Sequence, residues 1–203
     1  MVQRHLIQLL AALLWFAPLF SGDRTFRADR DHTRLGFKAA TLLFDVPGKF
    51  TRYTVELSGD PDSLEGARAL VQLETASIDT QNGKRDAHLR TADFFDATRF
   101  PKITFTSTRI WRDGGVLNVA GVLDLHGIRR ELLIPFEANK GETGGGTTYA
   151  YKGTLRIKRA DFALGEGIAA SLSLKDEVEL NLLLVGFFDE KKTDAPKAPA
   201  KKR

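Results

Sequence analysis

Apolar and polar residues alternate through most of residues 33–187. In residues 53–58 the odd positions are apolar and the even positions are polar, and residues 116–125 repeat this rhythm over a longer stretch. Alternation of this kind is typical of a β-strand that buries one of its two faces. Turn-forming residues such as the glycine-rich run 141–146 separate the stretches. Such short turns favour antiparallel neighbours, because parallel neighbours need a longer crossover.

The number of alternating stretches predicts the architecture. Together with a segment that follows Phe26 they give about eight strands, which is enough to close a barrel and remove both sheet edges. We therefore expect an all-β fold, an eight-stranded antiparallel β-barrel over residues 23–188. Residues 83–97 lose the alternation and contain good helix formers. They predict a short helix or lid that ends at residues 99–101, where a proline follows.

The charge distribution argues against a nucleic-acid partner. The chain has 30 Lys and Arg residues against 26 Asp and Glu, but residues 23–188 hold 23 of each sign. A protein that follows a phosphate backbone needs a basic patch on its folded surface, and a neutral body gives no support for one. The chain also contains no cysteine, which excludes disulfides, thiolate zinc sites and cysteine nucleophiles.

Both ends of the chain differ from the body. Residues 1–22 combine Arg4 with an apolar stretch that is short for a membrane span, followed by small residues. This pattern predicts a cleavable signal peptide and a periplasmic or secreted protein. An uncleaved anchoring helix is the alternative. Residues 189–203 are rich in Lys, Ala and Pro, which predicts a disordered basic tail.

Four motifs in the middle of the chain resemble a known family. They are Ser-Ile-Asp-Thr at residues 77–80, Arg-Asp-Ala-His-Leu at 85–89, Asp-Phe-Phe-Asp-Ala at 93–97 and Phe-Pro-Lys-Ile-Thr-Phe-Thr-Ser at 100–107. In this order they are similar to the signature of the YceI-like polyisoprenoid-binding proteins. Several ordered matches are far less probable by chance than one. The resemblance covers roughly residues 24–187.

The resemblance implies a lipocalin-like barrel, exported from the cytoplasm and often dimeric. Its lumen would carry a long isoprenoid or similar amphiphile, such as a polyprenyl or quinone-like molecule, with no other cofactor. It implies no catalytic triad and no metal motif. Alternation alone leaves open whether the lumen is hollow or filled by side chains. Small inward residues, Ala39, Gly121 and Gly153, are positions where a channel could remain.

Alternation, together with the interrupted segment, nominates the residues that would contact the lipid in the lumen. They are Phe37, Val55, Leu73, Phe94, Phe95, Phe105, Leu117, Val119, Leu123, Ile134, Phe136, Tyr149, Tyr151, Leu155, Leu180 and Leu182. Arg85 and His88 are candidates for contacting a polar head group at the barrel mouth. Capping of the interrupted segment is the alternative role for both.

The function expected from these observations is binding and carriage of the lipid in the periplasm, without catalysis. Two rivals remain: an enzyme that modifies a lipid in the same lumen, with His88 and Asp86 as acid and base, and an interaction barrel with a filled core. His32, His88 and His126 share no strand face or helical turn, so we expect no metal site. Other expected partners are a second copy of the chain and, through the basic tail, a membrane surface.

Overall fold

The computed structural model describes residues 24–167 and 174–189. These ranges contain eleven strands, one α-helix and two short 3₁₀ helices, Thr75–Ser77 and Arg159–Phe162. The α-helix is α1 (Gly83–Leu89). The strands are β1 (Arg24–Ala28), β2 (Arg34–Thr41), β3 (Asp45–Phe50), β4 (Tyr53–Gly59), β5 (Arg68–Glu74), β6 (Ile78–Asp79), β7 (Lys102–Asp113), β8 (Val116–Leu125), β9 (Ile128–Thr143), β10 (Gly146–Lys158) and β11 (Leu174–Phe188). The predicted signal peptide and residues 190–203 lie outside the described residues.

Eight strands form a closed ring. Their order is β1, β4, β5, β7, β8, β9, β10 and β11, and β11 pairs again with β1 through Phe26 opposite Phe188. Every pair in the ring is antiparallel. The predicted eight-stranded antiparallel barrel with one short helix is therefore confirmed.

The other three strands continue ring strands beyond an interruption. Strands β1 and β2 both pair with β11, β1 near its carboxyl end and β2 along the rest. Strand β3 leads directly into β4, and β6 follows β5 after one 3₁₀ turn. Strand β3 in turn pairs with β2 and β6. The barrel thus consists of eight long strands, three of which are broken once.

The break between β1 and β2 is built around Val185 of β11. The Asp29 N–H donates to the Val185 carbonyl over 2.7 Å, and the Thr33 hydroxyl oxygen lies 3.1 Å from the same carbonyl and 3.1 Å from the Val185 nitrogen. The Asp29 carboxylate accepts the Asp31 N–H and lies 2.7 Å from His32 Nδ1. These hydrogen bonds, that of His32 first, lower the pKa of Asp29. His32 therefore stabilises the turn between β1 and β2.

The barrel wall divides between β9 and β10. Their pairing ends at Phe136 opposite Gly153. Beyond this pair, residues 128–135 of β9 pair with β8, and residues 154–158 of β10 pair with β11. Pro135 stands at the point of separation and has no N–H to donate to a neighbouring strand. The two halves of the wall therefore diverge toward one end of the barrel.

The segment that follows β10 packs beside this separation. Phe162 and Leu164 are buried, and they belong to a hydrophobic cluster that includes Leu125 and contacts Ile128 and Leu132. The segment is also fixed by His126, whose Nδ1 lies 3.1 Å from the Phe162 carbonyl oxygen. His126 is thus part of the packing at this end of the barrel.

The opposite end of the barrel is closed by aromatic rings. The Phe26 ring meets the rings of Phe188 and Tyr151 edge-on, with centroids 5.3 and 5.9 Å apart, and Tyr149 meets Phe188 at 5.2 Å. All four side chains are buried. Edge-on aromatic pairs contribute about 0.5–1.5 kcal/mol each beyond the area they bury. We call this set the aromatic plug.

Two of the small inward residues are covered by phenylalanine rings. A Cβ at Gly153 would lie 2.7 Å from Cε1 of Phe136, and a Cβ at Gly121 would lie 2.5 Å from Cζ of Phe105. Each ring therefore lies flat over a glycine of the adjacent strand, an arrangement known to rescue glycine positions in sheets. These glycines do not leave the open channel that their size suggested.

Helix α1 lies within the predicted segment 83–97 but ends earlier than that segment. Asn82 caps its start by accepting the Arg85 N–H. At its end, the His88 carbonyl accepts both the Thr91 N–H and the Thr91 hydroxyl, and the chain turns. Residues 91–100 continue as hydrogen-bonded turns. No helix in the described part of the chain is long and apolar enough to span a membrane.

Candidate functional site

A long apolar cavity occupies the barrel between the two halves of the wall. The cavity has a volume of about 220 Å³. Its lining reaches from Leu64 and Ile110, which belong to the same hydrophobic cluster as the aromatic plug, to Leu89 and Leu174 at the other end. The core is therefore hollow, which resolves the alternative that the sequence left open.

Most of the residues nominated for the lumen line this cavity. They are Phe37, Leu73, Phe94, Phe95, Phe105, Leu117, Val119, Leu123, Ile134, Phe136, Tyr151, Leu180 and Leu182. Three other nominated residues lie outside the lining. Tyr149 is buried in the cluster that contains the aromatic plug, and Val55 and Leu155 pack against that cluster, so none of the three lines the cavity.

The lining also contains residues that the sequence analysis did not nominate. Most of those on strands continue the same alternation: Leu35, Ala39, Phe50, Leu57, Ala69, Val71, Ile103, Leu125, Leu132, Ile157, Leu174, Val178 and Leu184. Gly36 and Ile110 do not, since Gly36 stands between two other lining residues and Ile110 follows a bulge between Ser107 and Arg109. Leu64, Leu89, Leu164 and Arg159 lie outside the strands. Strand alternation does not extend to residues outside the strands, so only the folded chain shows that these four line the cavity.

Two polar side chains interrupt the apolar lining. Tyr151 is 3% exposed, and its hydroxyl has no hydrogen-bond partner within the described residues. Burial raises the pKa of Tyr151, so its hydroxyl remains neutral. Arg159 is the one charged side chain among the described residues that line the cavity. Its Nε is buried and likewise has no partner in that part of the chain.

The turn between β2 and β3 presents an apolar tip beside the end of the cavity that is remote from the aromatic plug, which we call the open end. Leu42, Leu43 and Phe44 are 73%, 89% and 60% exposed. Thr41 holds the turn, because its hydroxyl accepts the Phe44 N–H over 3.0 Å and donates to the Phe44 carbonyl over 2.7 Å. Thr41 pairs with Leu174, which lines the cavity. We call residues 42–44 the hairpin tip.

The cavity and the closed ring can be compared with known proteins. The family model described as the YceI-like domain matches residues 26–185. The chain belongs to the YceI-like family. This YceI-like chain is 33% identical over 157 residues to a UPF0312 protein of Vibrio vulnificus, a match that covers 74% of the chain and 83% of that relative.

Solved structures share the YceI-like fold. BcnA of Burkholderia cenocepacia superposes with a TM-score of 0.71 and 24% identity, covering 79% of this chain and 100% of that one. A polyisoprenoid binding domain from Saccharophagus degradans, implicated in plant cell wall breakdown, superposes with a TM-score of 0.59 and 17% identity, covering 82% and 98%. At these identities the likeness concerns the fold.

Arg85, a nominated head-group contact, does not line the cavity of this YceI-like barrel. Its Nε donates to the Thr80 hydroxyl and its Nη2 to the Thr80 carbonyl, both over 2.8 Å. The buried Asp86 carboxylate accepts the Thr80 N–H and hydroxyl over 2.9 and 2.5 Å. These contacts fix the start of α1 against the chain after β6. The capping role, the alternative kept open above, is the one that the geometry favours.

His88, the second nominated contact, also stays outside the cavity lining. Its exposed side chain places Nε2 3.2 Å from Asp93 Oδ2 and meets the Phe94 ring edge-on with centroids 5.1 Å apart. It therefore supports a residue that lines the cavity. Among the described residues, no three His, Asp or Glu side chains lie close enough together to hold a metal ion.

Proposed function

We propose that this chain binds a long isoprenoid or similar amphiphile with the hydrocarbon chain inside the cavity. The observation that carries the proposal is a long cavity with an almost wholly apolar lining inside a closed barrel. Each methylene moved from water to such surroundings contributes about 0.8 kcal/mol. A long hydrocarbon chain therefore supplies enough affinity without any charged contact. The polyisoprenoid binding domain with the same fold supports the proposal at the level of the fold.

We further propose that the chain carries this lipid between membranes in the periplasm, after removal of the signal peptide predicted over residues 1–22. The hairpin tip supports a transient membrane contact, because its apolar side chains are exposed beside the end at which the cavity opens. Contact of the basic tail with anionic lipid, and pairing of two copies, remain parts of the same proposal. Sequencing the amino terminus of the exported protein tests the cleavage, and an intact Met1 there would contradict it.

Extraction of lipid from the purified protein tests the binding. We expect organic extracts of protein from a lipid-replete host to contain a near-stoichiometric, unaltered isoprenoid by mass spectrometry. Ala39 lines the cavity and its neighbour Ala40 does not. Ala39→Phe should therefore reduce the bound lipid strongly, whereas Ala40→Phe should retain it. Wild-type protein that stays empty under these conditions would refute the proposal.

The enzyme rival makes a different prediction for the same preparation. Incubation of the loaded protein with excess lipid should release the lipid unchanged if the chain is a carrier. Turnover to a product, abolished by His88→Gln, would instead support an enzyme. The exposed position of His88 outside the cavity lining favours the carrier.

A further inference from the structure

Arg159 is an unusual member of the cavity lining. It follows β10 directly and begins the 3₁₀ turn beside the separation of β9 and β10. Its Nη1 donates to the carbonyls of Leu164 and Gly165 over 2.8 and 2.7 Å. Its Nε is shielded from solvent and has no hydrogen-bond partner within the described residues. The guanidinium is thus held in place while one of its donors remains unused.

No carboxylate neutralises this guanidinium in the part of the chain that the structure describes. The ion pairs found there involve other cations. Asp161 is exposed, and Asp176 accepts the Ala160 N–H. Buried polar groups are almost always hydrogen-bonded, and an exception calls for an explanation. The two carbonyl acceptors of Nη1 carry no full negative charge, so the charge of this partly buried guanidinium is left uncompensated and its Nε lacks an acceptor.

We propose that Arg159 binds the anionic head group, a carboxylate or a phosphate, of the amphiphile whose chain occupies the cavity. The inference rests on the proposed function. An anionic oxygen at Nε would supply the missing acceptor and compensate the charge in one contact. The two carbonyl contacts of Nη1 orient the group before the ligand arrives, which reduces the ordering needed on binding.

The position of Arg159 also sets the orientation of the ligand. Arg159 lies at the end of β10 that is remote from the aromatic plug. Tyr151, the other polar interruption, lies seven residues before the end of β10, about 23 Å along the strand at 3.3 Å per residue. The neutral Tyr151 hydroxyl can donate one hydrogen bond but has no positive charge to compensate a buried anion, which Arg159 has. The head group therefore stays near the open end and the hydrocarbon chain points toward the plug.

Three ligands with the same hydrocarbon chain test this assignment. Geranylgeraniol, geranylgeranoic acid and geranylgeranyl phosphate would each displace a fluorescent apolar probe from delipidated protein. We expect wild-type protein to bind both anions at least about tenfold more tightly than the alcohol, since a hydrogen bond to a charged group is the stronger one. The ratio between acid and phosphate then distinguishes the two sources of the anion.

Variants at Arg159 separate the head-group contact from a structural role. Arg159→Gln should lower the affinity for both anions about tenfold or more and change the affinity for the alcohol by less than about twofold. Arg159→Lys, which retains the charge, should keep most of the preference. Arg156, near the end of β10, is exposed and does not line the cavity, so Arg156→Gln is the matched control. Arg85→Gln tests the earlier head-group candidate in the same assay.

The possible outcomes are distinguishable. Equal wild-type affinity for all three ligands, equal losses for all three in Arg159→Gln, or a selective loss in Arg85→Gln would overturn the assignment. If Arg159→Gln does not fold, the assignment is still tested by two measurements. They are the preference of the wild-type protein for the anions over the alcohol, and whether Arg159→Lys keeps that preference. Wild-type protein that binds none of the three ligands would refute the proposed function itself. Binding of the alcohol as tightly as the anions refutes this inference alone.

Discussion

At the scale of single residues, buried polar groups in this barrel divide into those with partners and those without. Asp86 is 6% exposed and accepts two hydrogen bonds from Thr80. Tyr151 and Arg159 line the cavity, and the hydroxyl of Tyr151 and the Nε of Arg159 are buried with no partner among the described residues. The first kind stabilises the fold, whereas the second kind has hydrogen-bonding capacity that the fold leaves unused.

Removal of the Asp86 carboxylate should destabilise the protein. Asp86→Ala leaves the Thr80 N–H and hydroxyl without this acceptor, and we expect the free energy of unfolding to fall by about 2–3 kcal/mol. Urea denaturation followed by circular dichroism measures the change. Asp93→Ala is the control, because the exposed pair of Asp93 with His88 should contribute less than about 0.5 kcal/mol. Equal losses in both variants would contradict the role given to Asp86.

Removal of the Tyr151 hydroxyl should have the opposite effect. Tyr151→Phe deletes a buried hydroxyl without a partner, so the lipid-free protein should be as stable as wild type or more stable, by up to about 1 kcal/mol. Because burial raises the pKa of Tyr151, the unfolded chain loses this proton first as the pH rises above about 10. Wild-type stability should therefore decline more steeply than that of Tyr151→Phe as the pH rises above about 10. Urea titrations of both proteins across this pH range measure the effect. Equal slopes of the free energy of unfolding against pH would contradict it.

Residue roles were predictable from sequence where a periodicity existed. Alternation identified Phe105 and Leu123 as cavity-lining residues, since a strand sends every second side chain inward. Two roles stayed open for Arg85, because a motif shows which residues stand together but not which backbone groups they meet. Arg159 was missed because its position depends on a turn after β10 and on the carbonyls of Leu164 and Gly165.

At the scale of elements, two segments border the open end of the cavity. One contains α1 and the turns after it, which place Phe94 and Phe95 in the lining. The Phe94 ring lies against Gly165, where a Cβ would be 2.7 Å from its Cε1, and the Phe95 ring meets Phe50 edge-on at 6.0 Å. The other segment is the hairpin tip. The segment of α1 covers the cavity, whereas the hairpin tip is exposed to solvent.

Shortening a covering side chain should speed lipid exchange. Phe94→Ala removes a ring that lies between the cavity and Gly165, and we expect the lipid dissociation rate to rise about tenfold, equivalent to about 1.4 kcal/mol of lost contact. Stopped-flow transfer of a fluorescent isoprenoid to vesicles measures this rate. Phe187→Ala is the control, because Phe187 is 50% exposed and does not line the cavity. Unchanged exchange in a normally folded Phe94→Ala protein would argue against a lid.

A polar hairpin tip should slow delivery to membranes. Leu43→Ser removes the most exposed apolar side chain of the tip, and we expect transfer from protein to vesicles to slow by about tenfold, since burial of a leucine contributes roughly 1.5–3 kcal/mol. Lipid affinity measured without vesicles should not change. Leu133→Ser, a change at an exposed leucine of β9 outside the cavity lining, should leave both quantities unaltered. Equal transfer by all three proteins would remove the tip from the mechanism.

The sequence predicted the number of strands and helices better than it predicted where each one begins and ends. The alternating stretches, counted with the segment after Phe26, indicated about eight strands, and the barrel has eight. The break between β1 and β2 depends on Thr33 bonding to Val185, 152 residues away. The lost alternation marked the helical segment, whereas its end at Leu89 depends on Thr91 occupying the His88 carbonyl. Contacts between distant residues leave no local pattern to detect.

At the scale of the whole molecule, the hollow interior links stability to occupancy. A cavity lacks contacts that a packed core would make, and a bound hydrocarbon chain would restore them. A ligand present at a hundred times its Kd adds about 2.7 kcal/mol to the free energy of unfolding. A bound lipid would then contribute to the stability of the folded protein in addition to being transported.

Removal of the lipid should therefore lower the melting temperature. For a domain of this size, about 2.7 kcal/mol corresponds to a shift of about 5–10 °C. Differential scanning calorimetry of loaded, delipidated and reloaded protein measures it. In Ala39→Phe the added ring should occupy part of the cavity, so added lipid should shift its melting temperature far less. A wild-type melting temperature that does not respond to added isoprenoid would contradict the linkage.

The division of the wall between β9 and β10 has a mechanical consequence. Below the pair of Phe136 and Gly153, these two strands share no ladder within the described residues, and side chains such as Phe162 and Leu164 pack there instead. Widening the barrel at this seam would rearrange side-chain packing and leave the inter-strand amide hydrogen bonds intact. Widening the plugged end would break them. The diameter of the barrel can thus increase at one end at less cost than at the other, which would suit ligands with a branched or bulky end.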